Sequence, residues 1–420
     1  MQQNKVNSLI KWWVTPKLPY QDVYGLPLLK EKGVLSLINY RIIQWFSHPI
    51  KRRAARQYLR LLQHFTDIKV IGITGSVGKS TTSQMINSIL KQNGSVVCTL
   101  PNVDSVYNIP NTILRCQPET KYLILEMSVE YPGEMDYYLW LAKPDIGVIT
   151  NIYPTHTLFF KNEQGVLHEK SKLVKSLGVK DVAILNWNNN YLRTLIPLIK
   201  AKIIWFGGKG VRFESPVITK DYKYSYKLIL GKNARYRSKI YLPLVGDQFA
   251  ENSLAAAAVC NALGVDIKDI KRGLENFKQP EHRMKIIQGS GGALIVDDSY
   301  NNNPLAAMAA LQSFNHIAGK KKKVVVFGDM LELGNLEEKY HIDLGKYLAK
   351  HNLDMLICVG KASKLTANSA SVVMGETKVV SLETSSDVIP VLKKYNKKDY
   401  AILIKGSRSI GLDKIVPNFT

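Results

Sequence analysis

The chain has 420 residues, too many for one ordinary core, so two or three domains are expected. It is 45% hydrophobic and 22% charged, the balance of a globular chain; no apolar run approaches the ~20 residues of a membrane span, and no signal peptide is evident. A net charge of +23 suits polyanionic partners, whereas the four scattered cysteines (Cys98, Cys116, Cys260, Cys358) form neither a zinc motif nor a disulfide framework and fit a reducing cytoplasm.

Residues 1–66 read as a short, basic, mainly helical N-terminal segment. Its first 65 residues carry eleven Lys and Arg against only Asp22 and Glu31. "GVLSLINYRIIQWF" is apolar but broken by Arg41, and "KRRAARQYLRLLQHF" has the pattern of a basic amphipathic helix. Such a helix suits peripheral contact with the inner face of a membrane; the alternative is packing on the next domain with the basic face in solvent. RNA-binding aromatic signatures and Cys/His fingers are absent, so nucleic acid is not an expected partner.

Asp67–Thr74 is a β-branched apolar run, read as a buried strand. Gly75, Ser76, Val77 and Gly78 make a small-residue turn, and Lys79, Ser80 and Thr81 open a helix with apolar Met85, Ile86, Ile89 and Leu90. Strand, glycine loop and helix N-terminus together form a phosphate-binding arrangement, with backbone N–H groups pointing into the loop. Lys79 is placed to reach the β- and γ-phosphates, and Ser80 to ligate Mg²⁺. Ile73 stands where the longer loop motif has its first glycine, so the match is the short G-x-x-G-K-S form. A nucleoside triphosphate is implied, and kinase, ATPase, GTPase and ligase all remain open.

From residue 67 to about 283, strands at Tyr122–Leu125, Ile146–Asn151, Val182–Asn186 and Ile203–Phe206 alternate with helices, the rhythm of a doubly wound, mostly parallel α/β sheet. A β-rich stretch, Val211–Leu244, interrupts it before "ENSLAAAAVCNALGV" resumes helix. Residues 284–420 repeat the rhythm with strands at Ala293–Val296, Lys323–Phe327, Met355–Val359 and Ala401–Lys405, a smaller Rossmann-like α/β domain. Glu126 ends the strand "KYLILE", where a carboxylate faces the ligand crevice of an open sheet. Asn151 and His156 follow the next strand, and Lys170 lies in "HEKSKLV".

"GITGSVGKSTT", "LEMSVEYPGEMDYYLWLAKPDIGVITNIYPTH", "DDSYNNNPLAAMAAL", "VVVFGDMLELG" and "ILIKGSRS" resemble the Mur ligases, and within them the D-alanyl-D-alanine-adding branch. The resemblance runs from about Ile68 to the C-terminus. It implies a cytoplasmic, monomeric ATP-dependent ligase of peptidoglycan precursor synthesis. UDP-MurNAc-tripeptide and D-Ala-D-Ala would be its substrates and an acyl phosphate its intermediate. Lys79 then matches the phosphate-binding lysine, Ser80 and Glu126 Mg²⁺ ligands, His156 a ligand of a second Mg²⁺, and Lys170 the lysine that the family carbamylates. Asn252 matches an adenine contact, Arg283 the interdomain arginine that reaches the ATP phosphates, and Asp298 the ribose-binding carboxylate. Asn301, Asn303, Lys405, Ser407 and Arg408 fall in motifs that close on nucleotide and incoming substrate. Gln248-Phe249 replaces the family's usual His-Asn, and residues 1–66 lack the Asp-Ser-Arg signature of the family's UDP-binding domain. The alternatives are a ligase of the same superfamily with another donor or acceptor, including the folylpolyglutamate type, or a non-catalytic nucleotide-binding subunit.

Overall fold

The computed structural model describes residues 46–420 except 102, 154–156, 161, 232–235 and 332. Most of the N-terminal segment, and His156, therefore lie outside the described residues. The first described helix, α1 (His48–Phe65), buries His48, Arg52, Ala55, Leu59 and Leu62, a stripe at helical spacing. That stripe packs on α3 (Ser105–Ile113) and α4 (Glu134–Leu141). Its basic face is only partly in solvent: the Arg52 guanidinium lies 5.8 Å from the Tyr137 ring centroid and that of Arg56 lies 4.4 Å from Trp140.

His48 is 4% exposed, and its Nε2 lies 3.2 Å from the Val106 carbonyl oxygen. Burial pushes the imidazole down from 6.5 to about 4, so the unfolded chain takes up a proton that the folded chain refuses. Stability is therefore whole above pH 6.5 and is lost as pH falls through about 4, by up to roughly 3 kcal/mol. Chemical denaturation of His48→Gln between pH 7 and 4 should show that acid slope flattened; an unchanged slope would assign it to other groups.

The first sheet has the order β2-β3-β1-β4-β5-β6, and every pairing in it is parallel. Its strands are β1 (Lys69–Thr74), β2 (Ser95–Cys98), β3 (Thr120–Glu126), β4 (Ile146–Ile149), β5 (Val182–Asn186) and β6 (Lys202–Phe206). Alternation along β1 sends Ile71 and Ile73 to one core, with Met85, Ile86, Ile89 and Leu90 of α2 (Lys79–Leu90). It sends Val70 to the other, with Val166, Leu173 and Val174 of α5 (Glu163–Lys175). Helices thus cover both faces and leave the strand ends, where β1 turns into α2, as the site of the crevice.

The stretch read as β-rich forms a separate antiparallel sheet of β7 (Arg212–Ile218), β8 (Tyr224–Leu230) and β9 (Tyr236–Leu242). Two helices follow, α6 (Asp247–Ala262) and α7 (Ile267–Glu275). The second six-stranded sheet has the order β10-β11-β15-β12-β13-β14. It is mixed: β10 (Lys285–Gln288) is an antiparallel edge, while β11 (Leu294–Asp298), β15 (Tyr400–Lys405), β12 (Lys322–Gly328), β13 (Met355–Val359) and β14 (Val379–Leu382) pair in parallel.

One buried cluster is shared by the two sheets' helices. Phe249 and Leu254 of α6 belong to it together with Ala310, Leu311 and Phe314 of α8 (Pro304–Ala318). The Gln248 side chain meets Ser313 Oγ at 3.4 Å across this seam, so the Gln248-Phe249 pair joins the two units.

Candidate active site

The site begins where β1 ends. Gly75 (φ 148°) and Gly78 (φ 85°) hold backbone angles that disfavour side chains. A Cβ on Gly75 would strike Thr150 Oγ1, and one on Gly78 would strike Asn252 Oδ1. The loop is braced from β4's end: Ser76 N–H donates to the Asn151 carbonyl (3.0 Å) and Val77 N–H to Asn151 Oδ1 (2.9 Å). Asn151 Nδ2 returns a bond to the Val77 carbonyl at 3.1 Å, and Ser76 Oγ donates to the Tyr153 carbonyl at 2.9 Å. This corrects the expectation that all the loop amides point inward, because those of Ser76 and Val77 serve the brace. The amides left to meet an anion are those of Gly78 and of the residues that open α2, Lys79, Ser80 and Thr81, where no preceding turn supplies acceptors.

Lys79 Nζ donates to the Gly75 carbonyl at 3.1 Å and reaches that of Ser76 at 3.4 Å. Burial lowers its affinity for a proton, the Glu126 and Glu130 carboxylates raise it, and Arg283 lowers it further. Ser80 Oγ donates to Glu126 Oε1 at 3.1 Å, and Ser128 Oγ does so at 3.2 Å. Two residues expected on one metal thus stand together at the ends of β1 and β3. Lys170, on α5, is 1% exposed. Burial holds its proton affinity well below the usual lysine value, with the Lys79 charge acting in the same direction and Glu169 opposing.

The second sheet closes the site from the other side. A cleft of about 380 Å³ is lined by Ser80 and Gln84 from α2, by His282 and Arg283 from the linker, and by Tyr300 and Arg408. The Arg283 and Arg408 guanidinium groups lie 4.7 and 5.9 Å from the Tyr300 ring centroid. Asp298 Oδ2 pairs with Lys405 Nζ at 2.8 Å, and its Oδ1 accepts the Met284 N–H at 3.1 Å. Lys405, 1% exposed, also donates to the Asn301 carbonyl at 2.7 Å.

Two of the residues expected on the substrate are engaged internally. Asn303 Oδ1 caps α8 by accepting the Ala306 N–H at 2.9 Å, and Ser407 Oγ donates to the Asp329 carbonyl at 2.8 Å. Sequence reasoning passed over Tyr300 and His282. The signal was present in "EHR" and "DDSY", but only the fold brings those stretches to one cleft.

Comparison with known proteins agrees with this geometry. Residues 73–260 match the Mur ligase middle domain, and residues 282–408 match the Mur ligase, glutamate ligase domain. The UDP-N-acetylmuramoyl-tripeptide–D-alanyl-D-alanine ligase of Buchnera aphidicola subsp. Baizongia pistaciae is 33% identical over 84% of this chain and 75% of its own. The crystal structure of MurF from Acinetobacter baumannii superposes with a TM-score of 0.78 at 29% identity, covering 87% of this chain and 80% of the other. MurF from Thermotoga maritima in complex with ADP gives 0.76 at 25% identity, covering 88% and 83%. On these matches the chain belongs to the Mur ligases, on the branch of the UDP-N-acetylmuramoyl-tripeptide–D-alanyl-D-alanine ligases.

Proposed function

We propose that the protein joins D-alanyl-D-alanine to UDP-N-acetylmuramoyl-tripeptide in peptidoglycan precursor synthesis, as an ATP-dependent carboxylate–amine ligase that releases ADP and phosphate. The observation that carries the chemistry is one cleft in which Ser80, from the helix that Lys79 opens, faces Arg283 and Arg408 from the other side. In this reading residues 67–283 bind the nucleotide, 284–420 close on it, and 1–66 form a separate segment.

Lys79 and the first amides of α2 grip the β- and γ-phosphates, and Arg283 meets them from the linker. The peptide's terminal carboxylate oxygen attacks the γ-phosphorus and ADP leaves. The amine of D-alanyl-D-alanine then attacks the carbonyl carbon of the acyl phosphate, loses a proton, and inorganic phosphate departs. Asn252, against the loop at Gly78, is assigned to adenine. Asp298 is assigned to ribose, since each of its oxygens keeps a second lone pair. Asn301, Lys405 and Arg408 are assigned to the closing face of the second sheet.

Ser80 Oγ and Glu126 Oε1 are hard oxygen donors that suit Mg²⁺. The family resemblance assigns the further ligands to ATP oxygens, His156 and a second anionic group. Bound Mg²⁺ supplies charge neutralisation on the phosphoryl group. Lys170 is the candidate for that anion. Burial and Lys79 favour its neutral amine, which adds CO₂ and releases a proton to give a carbamate.

The expected assay is phosphate release requiring ATP, Mg²⁺, UDP-MurNAc-tripeptide and D-Ala-D-Ala together, with the pentapeptide mass as product. Release that is indifferent to D-Ala-D-Ala would reject the acceptor. A monomer in the cytoplasm is the expected state. Its outer α1 face, with exposed Phe46, Ile50, Leu61 and Phe65 beside Lys51 and Arg60, favours additional contact with anionic lipid. Flotation with anionic liposomes, lost in K51E/R60E, is the check on that contact.

A further inference from the structure

His282 is out of place as a linker residue. Its backbone φ is 59°, in the left-handed region that a glycine would occupy more readily. Its ring is nevertheless anchored: Nδ1 lies 2.7 Å from Oδ2 of Asp297, a carboxylate that is 1% exposed in β11. The other Asp297 oxygen accepts both the N–H (3.2 Å) and the Oγ–H (2.6 Å) of Ser299, so the carboxylate is fixed on two sides. The His282 carbonyl accepts the Tyr300 N–H at 3.2 Å, which ties the linker to the second sheet without using the ring. His282 lines the cleft together with Arg283 and Ser80.

We propose that His282 is a phosphate-binding residue of the nucleotide site, its Nδ1–H held by Asp297 and its Nε2 directed to the phosphate chain of ATP. This rests on the assignment of the cleft to ATP. The charged groups lining the cleft beside the ring are Lys278, Arg283 and Arg408 against Glu281 and Asp413, with Asp297 held on the ring itself, so the lining carries one net positive charge. Asp297 orients the ring through Nδ1, and a phosphate oxygen at Nε2 completes a hydrogen bond to the anion. A residue that served only as a clasp need not line the cleft, whereas His282 is both bonded to Asp297 and part of the cleft's lining.

The test is calorimetric titration of the full-length protein with MgATP and with adenosine, comparing wild type with His282→Gly, which keeps the backbone conformation and removes the ring. We expect MgATP binding to weaken about tenfold and adenosine binding to stay unchanged. His282→Asn is the second variant: Asn tolerates the same backbone and can still reach Asp297, but it is too short to reach a phosphate, and it should behave like the glycine variant. Unchanged MgATP affinity in both variants would make the ring a structural clasp and overturn the proposal. So would equal weakening of MgATP and adenosine. A wild type that binds no MgATP would instead overturn the ATP assignment beneath it.

Discussion

Replacing Lys79 with alanine should reduce ATP-dependent ligation by roughly 10²–10³-fold, the scale seen when a single preorganised donor to developing charge is deleted. The ammonium sits over the loop carbonyls of Gly75 and Ser76, with Glu126, Glu130 and Arg283 in its electrostatic range. No other cation on α2 can take its place, because the helix begins with it and carries no further Lys or Arg. The effect should be confined to function. Burial already disfavours the charged form of Lys79, so removing it relieves a cost, and the melting temperature should hold or rise. Arginine should not rescue, since its planar fork does not fit a site shaped for a point charge. Steady-state ligation and thermal melting of the same sample are the two measurements; ligation within tenfold of wild type would remove Lys79 from the mechanism.

The second large effect belongs to Lys170. Alanine there should abolish ligation, and a short carboxylate such as acetate should restore part of it by standing in for the carbamate. Removing dissolved CO₂ should slow the wild type reversibly. The pH signature follows from the depressed proton affinity. The unfolded chain holds a proton on this lysine up to 10.5, and the folded chain gives it up at lower pH. Folding therefore releases a proton in the window between the lowered folded value and 10.5, and stability rises with pH across that window. Lys170→Met should remove that slope while leaving a folded protein. Normal turnover in Lys170→Ala, or a wild type indifferent to CO₂, would end the carbamate assignment.

Much of this site was legible in the amino-acid order, and the reasons differ by residue. The strands Val182–Asn186 and Met355–Val359 were placed to the residue, because a strand buried on both faces needs a continuous apolar run with clear ends. The first strand begins at Lys69, two residues later than its apolar pattern suggests. Ser95–Cys98, Lys285–Gln288 and Val379–Leu382 gave no signal. Each is four residues long and half exposed, so neither length nor alternation stands out. That β10 runs antiparallel is a property of its pairing with β11, which no local pattern encodes. Lys79 and Ser80 could be read in advance because the glycine loop that opens α2 is a local motif, and Glu126 because it ends an apolar strand run. The Asp298–Lys405 pair and the His282–Asp297 contact depend on how β15 and the linker meet β11, which only the folded sheet determines.

The brace that Asn151 builds around Ser76 and Val77 has a kinetic meaning. A flexible phosphate loop must search its conformations at each encounter, and nucleotide capture is slowed by the fraction of time the loop is wrong. Here the loop is held by hydrogen bonds to its own β4 neighbour. Its ordering entropy is spent once, when the chain folds, and not again with each ATP. Capture is then governed by diffusion and by the attraction of a chain with net charge +23, and will be fast and sensitive to ionic strength.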